Sequence, residues 1–243
     1  MGFFKSILLC GLIAGVVAGF ALTALQTVKV YPLIFAAEEF EDTAHDHGSH
    51  DHGDAKTTPN STSKPATEAK PWMPADGIER LFYSLLSNIL MGVGLGLVLA
   101  AIFALRDVEN WRQGAIWGLA GFIAVNLAPA LGIPPELPGM PSGALLARQT
   151  WWLTTALCTG AGIALIFLTA NLIWRVAGAA LIALPQIYGA PHPDSVASDV
   201  PATLAADFAT ASLATNLIFW AILGILAAEV MSRLDRNKDA RPA

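Results

Sequence analysis

The chain has 243 residues, 54% of them hydrophobic and 14% charged, with a formal net charge of −5. Its apolar residues come in long runs instead of the short alternations of a water-soluble core, so the lipid bilayer is its first partner and the expected fold is an all-α, polytopic integral membrane helix bundle. The acidic balance excludes nucleic acid as a partner.

A helix needs roughly 20 apolar residues to cross the hydrocarbon core, and six runs qualify as candidate spans. The first, Ile7 to Val28, follows Lys5 and reads either as a cleavable signal peptide or as a retained anchor. It is long for a signal sequence and ends without a clean small-x-small site. Apolar character returns at Val30-Tyr31-Pro32-Leu33-Ile34-Phe35, which favours a retained helix with an amphipathic extension over residues 1–35.

Residues 36–78 shift to Glu, Asp, His, Thr, Ser, Pro and Lys, a composition that cannot bury enough apolar surface to offset its ordering entropy. A disordered aqueous loop is expected there. Within it lies His45-Asp46-His47-Gly48-Ser49-His50-Asp51-His52-Gly53-Asp54, which holds four of the five histidines. Neutral imidazoles offer lone pairs to a borderline divalent metal, and the interleaved carboxylates add oxygen ligands and raise the local cation concentration. His45, His47, His50, His52, Asp46 and Asp51 are therefore the candidate metal ligands. Their irregular spacing is unlike the fixed geometry of a zinc finger or a HExxH helix, so the binding they predict is weak and exchangeable. The competing reading is a solvated loop that binds nothing. For Glu38, Glu39, Glu41 and Asp42 just ahead of the tract, solvation is the main role expected.

The second span covers about Leu81 to Leu105 and carries Gly92, Gly94 and Gly96, small residues that permit close helix packing. The third covers about Ala115 to Leu131, after a short charged loop from Arg106 to Arg112. The connector Gly132 to Pro141 is rich in proline, which removes backbone donors and forbids a regular helix. The run from Trp151 to Leu184 is too long for one upright span and is interrupted by Asn171 and Arg175, so it divides into a fourth and a fifth; one broken re-entrant element, giving five spans in all, is the alternative. The last span covers about Leu204 to Val230. The membrane bundle is thus expected over 79–232, with a basic tail over 233–243. Arg106, Arg112, Arg175 and the tail then share one face, which the positive-inside rule makes cytoplasmic together with both termini. The histidine tract, the proline connector and His192 share the other.

His192 stands between Pro191 and Pro193 and is the only histidine expected to hold a fixed position. With Asp194, Asp199 and Asp207 nearby, it is the next candidate metal ligand; the alternative is an ordinary interfacial loop residue. Gln26, Asn88, Asn126, Asn171 and Asn216 either offer amide oxygens to an ion or, as is more usual, hydrogen-bond one helix to another. Cys10 and Cys158 read as small buried residues without a redox partner. No Walker A, Rossmann, GxSxG, HExxH or phosphorylatable-aspartate signature occurs, so no enzyme activity and no resident cofactor are expected, and energy for any transport must come from elsewhere.

The acidic, histidine-rich loop Glu38 to Asp54, the segment Asn126-Leu127-Ala128-Pro129-Ala130-Leu131-Gly132-Ile133-Pro134-Pro135-Glu136-Leu137-Pro138-Gly139, the following Arg148-Gln149-Thr150-Trp151-Trp152 and the turn Ala190-Pro191-His192-Pro193 together resemble the CbtA family of predicted cobalt transporter subunits. The resemblance implies cobalt uptake associated with cobalamin synthesis, about five spans, and a small single-span partner, CbtB, with histidines of its own. On this reading the chain is a permease subunit of a bacterial inner membrane that admits Co2+, or Ni2+, with Zn2+ not separable by ligand chemistry. A homo-oligomer would help to enclose a path. The rival is a membrane metal-binding or sensing module that supplies another transporter and conducts nothing.

Overall fold

The computed structural model describes residues 3–47, 74–106, 108, 110–193 and 197–239, and the regular elements among them are helices. We number them α1 (Phe3–Lys29), α2 (Tyr31–His47), α3 (Ile78–Arg106), α4 (Trp111–Ala130), α5 (Leu145–Leu168), α6 (Leu172–Tyr188) and α7 (Ala202–Asp239). Five of these, α1, α3, α4, α5 and α7, are long and apolar enough to cross a membrane. At 17 residues α6 is shorter, about 25 Å against a hydrocarbon core of roughly 30 Å.

The long run after Trp151 is divided, and the break falls at 169–171. Asn171 caps α6, its Oδ1 accepting the Ile173 amide at 2.9 Å, and Arg175 Nε donates to the Thr169 carbonyl at 3.1 Å. From there α6 returns antiparallel along α5, with Gly178 against Gly162 and the Trp151 indole donating to the Pro185 carbonyl at 3.4 Å. The described ends of α1 and α7 consequently lie at one end of the molecule, where the Cys10 thiol meets the Ala227 carbonyl at 3.2 Å. A sixth segment that doubles back is what keeps them together.

Glycines set the helix spacing. Gly11, Gly15 and Gly19 of α1 lie against Leu97, Gly92–Val93 and Ile89 of α3, so the two run antiparallel; a Cβ on Gly92 would stand 2.5 Å from the Gly15 carbonyl oxygen. Gly114 and Gly118 of α4 meet Gly224 of α7 in the same way. Only glycine permits backbones this close in a bilayer. Gly94, by contrast, faces open space. The shared core, including Leu22, Phe103, Phe122, Phe219, Trp220 and Leu223, is contributed by α1, α3, α4 and α7 and the short α3–α4 turn.

Residues 36–47, where the composition predicts an irregular loop, continue as helix to His47. Val30, Leu33, Ile34 and Ala37 recur at helical spacing and pack on Leu137, Met140, Val200 and Phe208, so half of α2 has a surface to cover. Pro32, whose missing N–H would be an orphan in a first turn anyway, sits at the second position. Arg80 at the start of α3 then holds the helix from the other side, 2.6 Å from Glu38 and with its guanidinium 5.0 Å from the centre of the Phe35 ring. At the far end of the chain, α7 carries Arg233 and Arg236 on continuous helix to Asp239, so the basic segment is not a separate tail.

Candidate metal-handling end of the bundle

Two irregular segments and α2 meet at the end of the molecule opposite the chain's described ends. The connector after α4 makes a tight turn at Leu137-Pro138-Gly139-Met140: Pro138 supplies its fixed φ, Gly139 takes φ 78°, and the Met140 amide donates to the Leu137 carbonyl at 3.2 Å. This is the type II geometry that a Pro-Gly pair favours. The same connector is tied to α5 by Glu136 and Arg148, 2.6 Å apart and each about three-quarters buried. At the top of α6, Gly189 at φ 91° turns the chain into Ala190-Pro191-His192-Pro193. The two stretches lie side by side: a Cβ on Gly132 would stand 2.8 Å from that of Ala190, and one on Gly143 3.3 Å from the His192 carbonyl oxygen. Ala37 of α2 and Val30 just before it pack on a platform made by the connector and the start of α7, through Leu137, Met140, Val200 and Phe208.

The sequence-predicted ligands divide among these parts. His45, Asp46 and His47 end α2, about 10 Å along the helix from the Glu38–Arg80 pair. His50, Asp51 and His52 lie outside the described residues, as does Asp194. His192 is exposed on its proline-flanked turn, and Asp199 and Asp207 are exposed as well. Among the described residues no group of three or more His, Cys, Asp or Glu side chains comes together as a metal site.

Two of the intramembrane asparagines connect helices, and a third bonds within its own. Asn88 Nδ2 donates to Thr23 Oγ1 at 3.0 Å and to Gln26 Oε1 at 2.7 Å, bridging α1 and α3. Asn126 Oδ1 accepts the Trp220 indole N–H at 2.7 Å, bridging α4 and α7. Asn216 donates to the Ser212 carbonyl of its own helix at 2.9 Å.

Sequence reasoning passed over Thr155 and Thr159 on α5. Both are fully buried, and neither hydroxyl has a hydrogen-bond partner. Thr150 on the same helix, and Thr169 directly after it, return their hydroxyls to the carbonyl four residues back, the usual resort of a threonine in an apolar helix. The legible signal was a pair of hydroxyls four residues apart within an apolar run, which places both on one face.

A family model described as "Probable cobalt transporter subunit (CbtA)" matches residues 4–232, nearly the whole chain. No curated protein and no solved structure matches. The chain belongs to the CbtA family.

Proposed function

With membership of that family as the premise, we propose that the chain is the conducting subunit of a bacterial inner-membrane permease that admits Co2+, or Ni2+, to the cytoplasm. The observation that carries this reading is the gathering of α2, the proline connector and the His192 turn at one end, where the described basic residues are Lys29 and the ion-paired Arg80 and Arg148. Lys5, Arg106, Arg112, Arg175, Arg233 and Arg236 belong to the opposite end, set there by the antiparallel packing of α1 with α3, α4 with α7 and α5 with α6. The positive-inside rule makes that end, with both termini, cytoplasmic and the histidine-bearing end periplasmic.

In this arrangement the tract from His45 to His52 collects dilute metal, helped by its carboxylates, and α2 keeps the tract's root over the platform. His192, Asp199 and Asp207 are the acceptors nearest the bundle in chain order. Imidazole and carboxylate together suit Co2+, Ni2+ and Zn2+, so selectivity rests on geometry deeper in the path. The word "subunit" in the family description supports a partner, for which a small single-span, histidine-bearing CbtB-like chain is the candidate.

The test is uptake of radiolabelled cobalt into cells lacking their own transporters, with and without the candidate partner. Accumulation that weakens at limiting cobalt on deletion of 45–54 and falls in His192→Ala supports the reading. If the purified chain, alone and with its partner, moves no ion in liposomes while still binding cobalt, it is a non-conducting metal-binding module instead.

A further inference from the structure

The α5–α6 hairpin meets the body formed by α1, α3, α4 and α7 chiefly along the second half of α4. After Phe122 that helix widens into a π-type turn over Ile123–Leu127, the Ala128 amide donating to the Ile123 carbonyl five residues back. From there outward the contact is close. A Cβ on Gly160 of α5 would stand 3.9 Å from that of Ala124, and Gln186 Nε2 of α6 donates to the Ala128 carbonyl at 2.9 Å. Toward the basic end the two units part. Ile116 lies two turns before Ala124, and Phe167 two turns after Gly160, so antiparallel helices in continued contact would bring them face to face. They are instead 67% and 77% exposed.

A wedge-shaped cleft results, open at the basic end, and Arg175 stands in it. It lies eleven residues before Gln186, about three helical turns, and so on the α6 face that Gln186 turns to α4. Arg175 Nε donates to the Thr169 carbonyl at 3.1 Å, while its two terminal nitrogens meet no acceptor among the described residues. Neither wall supplies a carboxylate: the stretches 111–130 and 145–188 contain no Asp or Glu. Depth adds to the cost of this charge. From Ala124, α4 runs back to Trp111 over about 20 Å, whereas α5 runs on from Gly160 to Leu168 over about 12 Å. The hairpin therefore turns roughly 8 Å short of the level of Trp111, whose ring, with the Arg112 guanidinium 5.5 Å from its centre, marks the headgroup zone. Snorkelling does not close that distance, because the bond to Thr169 keeps the guanidinium at the turn. An arginine at such a depth is costly without a counter-ion, and basic recesses between membrane helices hold anionic headgroups.

We propose that this cleft is the seat of one anionic phospholipid from the leaflet at the basic end, with its phosphate on the terminal nitrogens of Arg175 and its acyl chains between α4 and α5, against Ile116 and Phe167. The orientation proposed above makes that leaflet the cytoplasmic one, but the seat does not depend on whether the chain conducts metal. A guanidinium fork matches two phosphate oxygens, and the apolar walls take the chains. The lipid then joins hairpin and body where direct contact between them is missing.

Native mass spectrometry of the full chain, released from mixed micelles, counts the lipid that stays bound. One molecule of phosphatidylglycerol should be retained in preference to phosphatidylcholine. Arg175→Gln should weaken that retention by about fivefold, the share of one basic residue at an anionic surface, and Arg175→Lys should restore most of it. Arg233→Gln, at the same end but paired with Glu229, should change nothing. Ala179→Phe fills the open face of α6 between Arg175 and Gln186, and should expel the lipid while leaving the arginine in place. Millimolar glycerol phosphate, the headgroup without its chains, should not displace it. Equal retention of the two lipids overturns the proposal, as does full retention in Arg175→Gln or in Ala179→Phe. An equal loss in Arg233→Gln would reduce the effect to surface charge, and displacement by glycerol phosphate would make Arg175 a free-phosphate site; either result also overturns the seat.

Discussion

The four-helix body and the α5–α6 hairpin solve the same problem, packing apolar helices in lipid, by different means. In the body, α1 with α3 and α4 with α7 approach through repeated backbone-to-backbone glycine contacts and share one continuous core. The hairpin has its own glycine contact, Gly162 against Gly178, but places no residue in that core. It borders the body chiefly through a distorted helix half, and its own buried face carries two hydroxyls without partners. Small-residue seams make a scaffold with a single arrangement, whereas the hairpin rests on that scaffold chiefly along the irregular second half of α4.

The contrast is sharpest at the glycines. Gly15→Leu should drive α1 from α3 and destabilise the detergent-solubilised protein by about 3 kcal/mol or more, the upper range of overpacking costs. Gly94→Leu, on the open side of α3, should be close to neutral, and equal effects of the two would break the scaffold argument. Gly162→Leu should cost about 1–3 kcal/mol, less than Gly15→Leu because no shared core is disturbed. Thermal unfolding of the purified variants measures all three.

Polar connectors should matter less. Asn88→Leu removes two hydrogen bonds between α1 and α3 and is expected to cost about 0.6–1.7 kcal/mol, the range found for such bonds in bilayers. Glu38→Gln weakens a part-exposed ion pair and should cost less than about 1 kcal/mol. Its clearer readout is proteolysis within 36–47, which should quicken once Arg80 no longer holds α2. An unchanged cleavage rate would mean that the apolar face of α2 suffices.

Much of the scaffold was legible because hydropathy and charge are local properties. The spans, the division near Asn171 and Arg175, and the proline connector all follow from runs of one residue type. Three features were hidden because their causes are tertiary. Residues 36–47 are polar enough to read as loop, yet Arg80, 42 residues away from Glu38, and the platform under Ala37 hold them helical. Asn126 looked like a candidate ion ligand, but its partner is Trp220, 94 residues on. Thr155 and Thr159 drew no notice, since a threonine in a helix ordinarily satisfies itself; that these two do not depends on what lies across the seam.

The π-type turn also decides which neighbour α4 serves along its length. Before it, Gly114, Gly118 and Phe122 face the body; within it Ile123, Val125 and Asn126 still meet the body while Ala124 meets Gly160, and beyond it the Ala128 carbonyl accepts from Gln186 of the hairpin. One extra residue in a turn rotates everything beyond it by about 100°, enough to swap one packing face for another. Pro129, which has no N–H to give, follows directly, so the helix loses a donor at the point where its register changes. One helix therefore belongs to two packing units, and deleting a single residue from 123–127 would turn its second half by about 100° and take the face that meets α5 away from it.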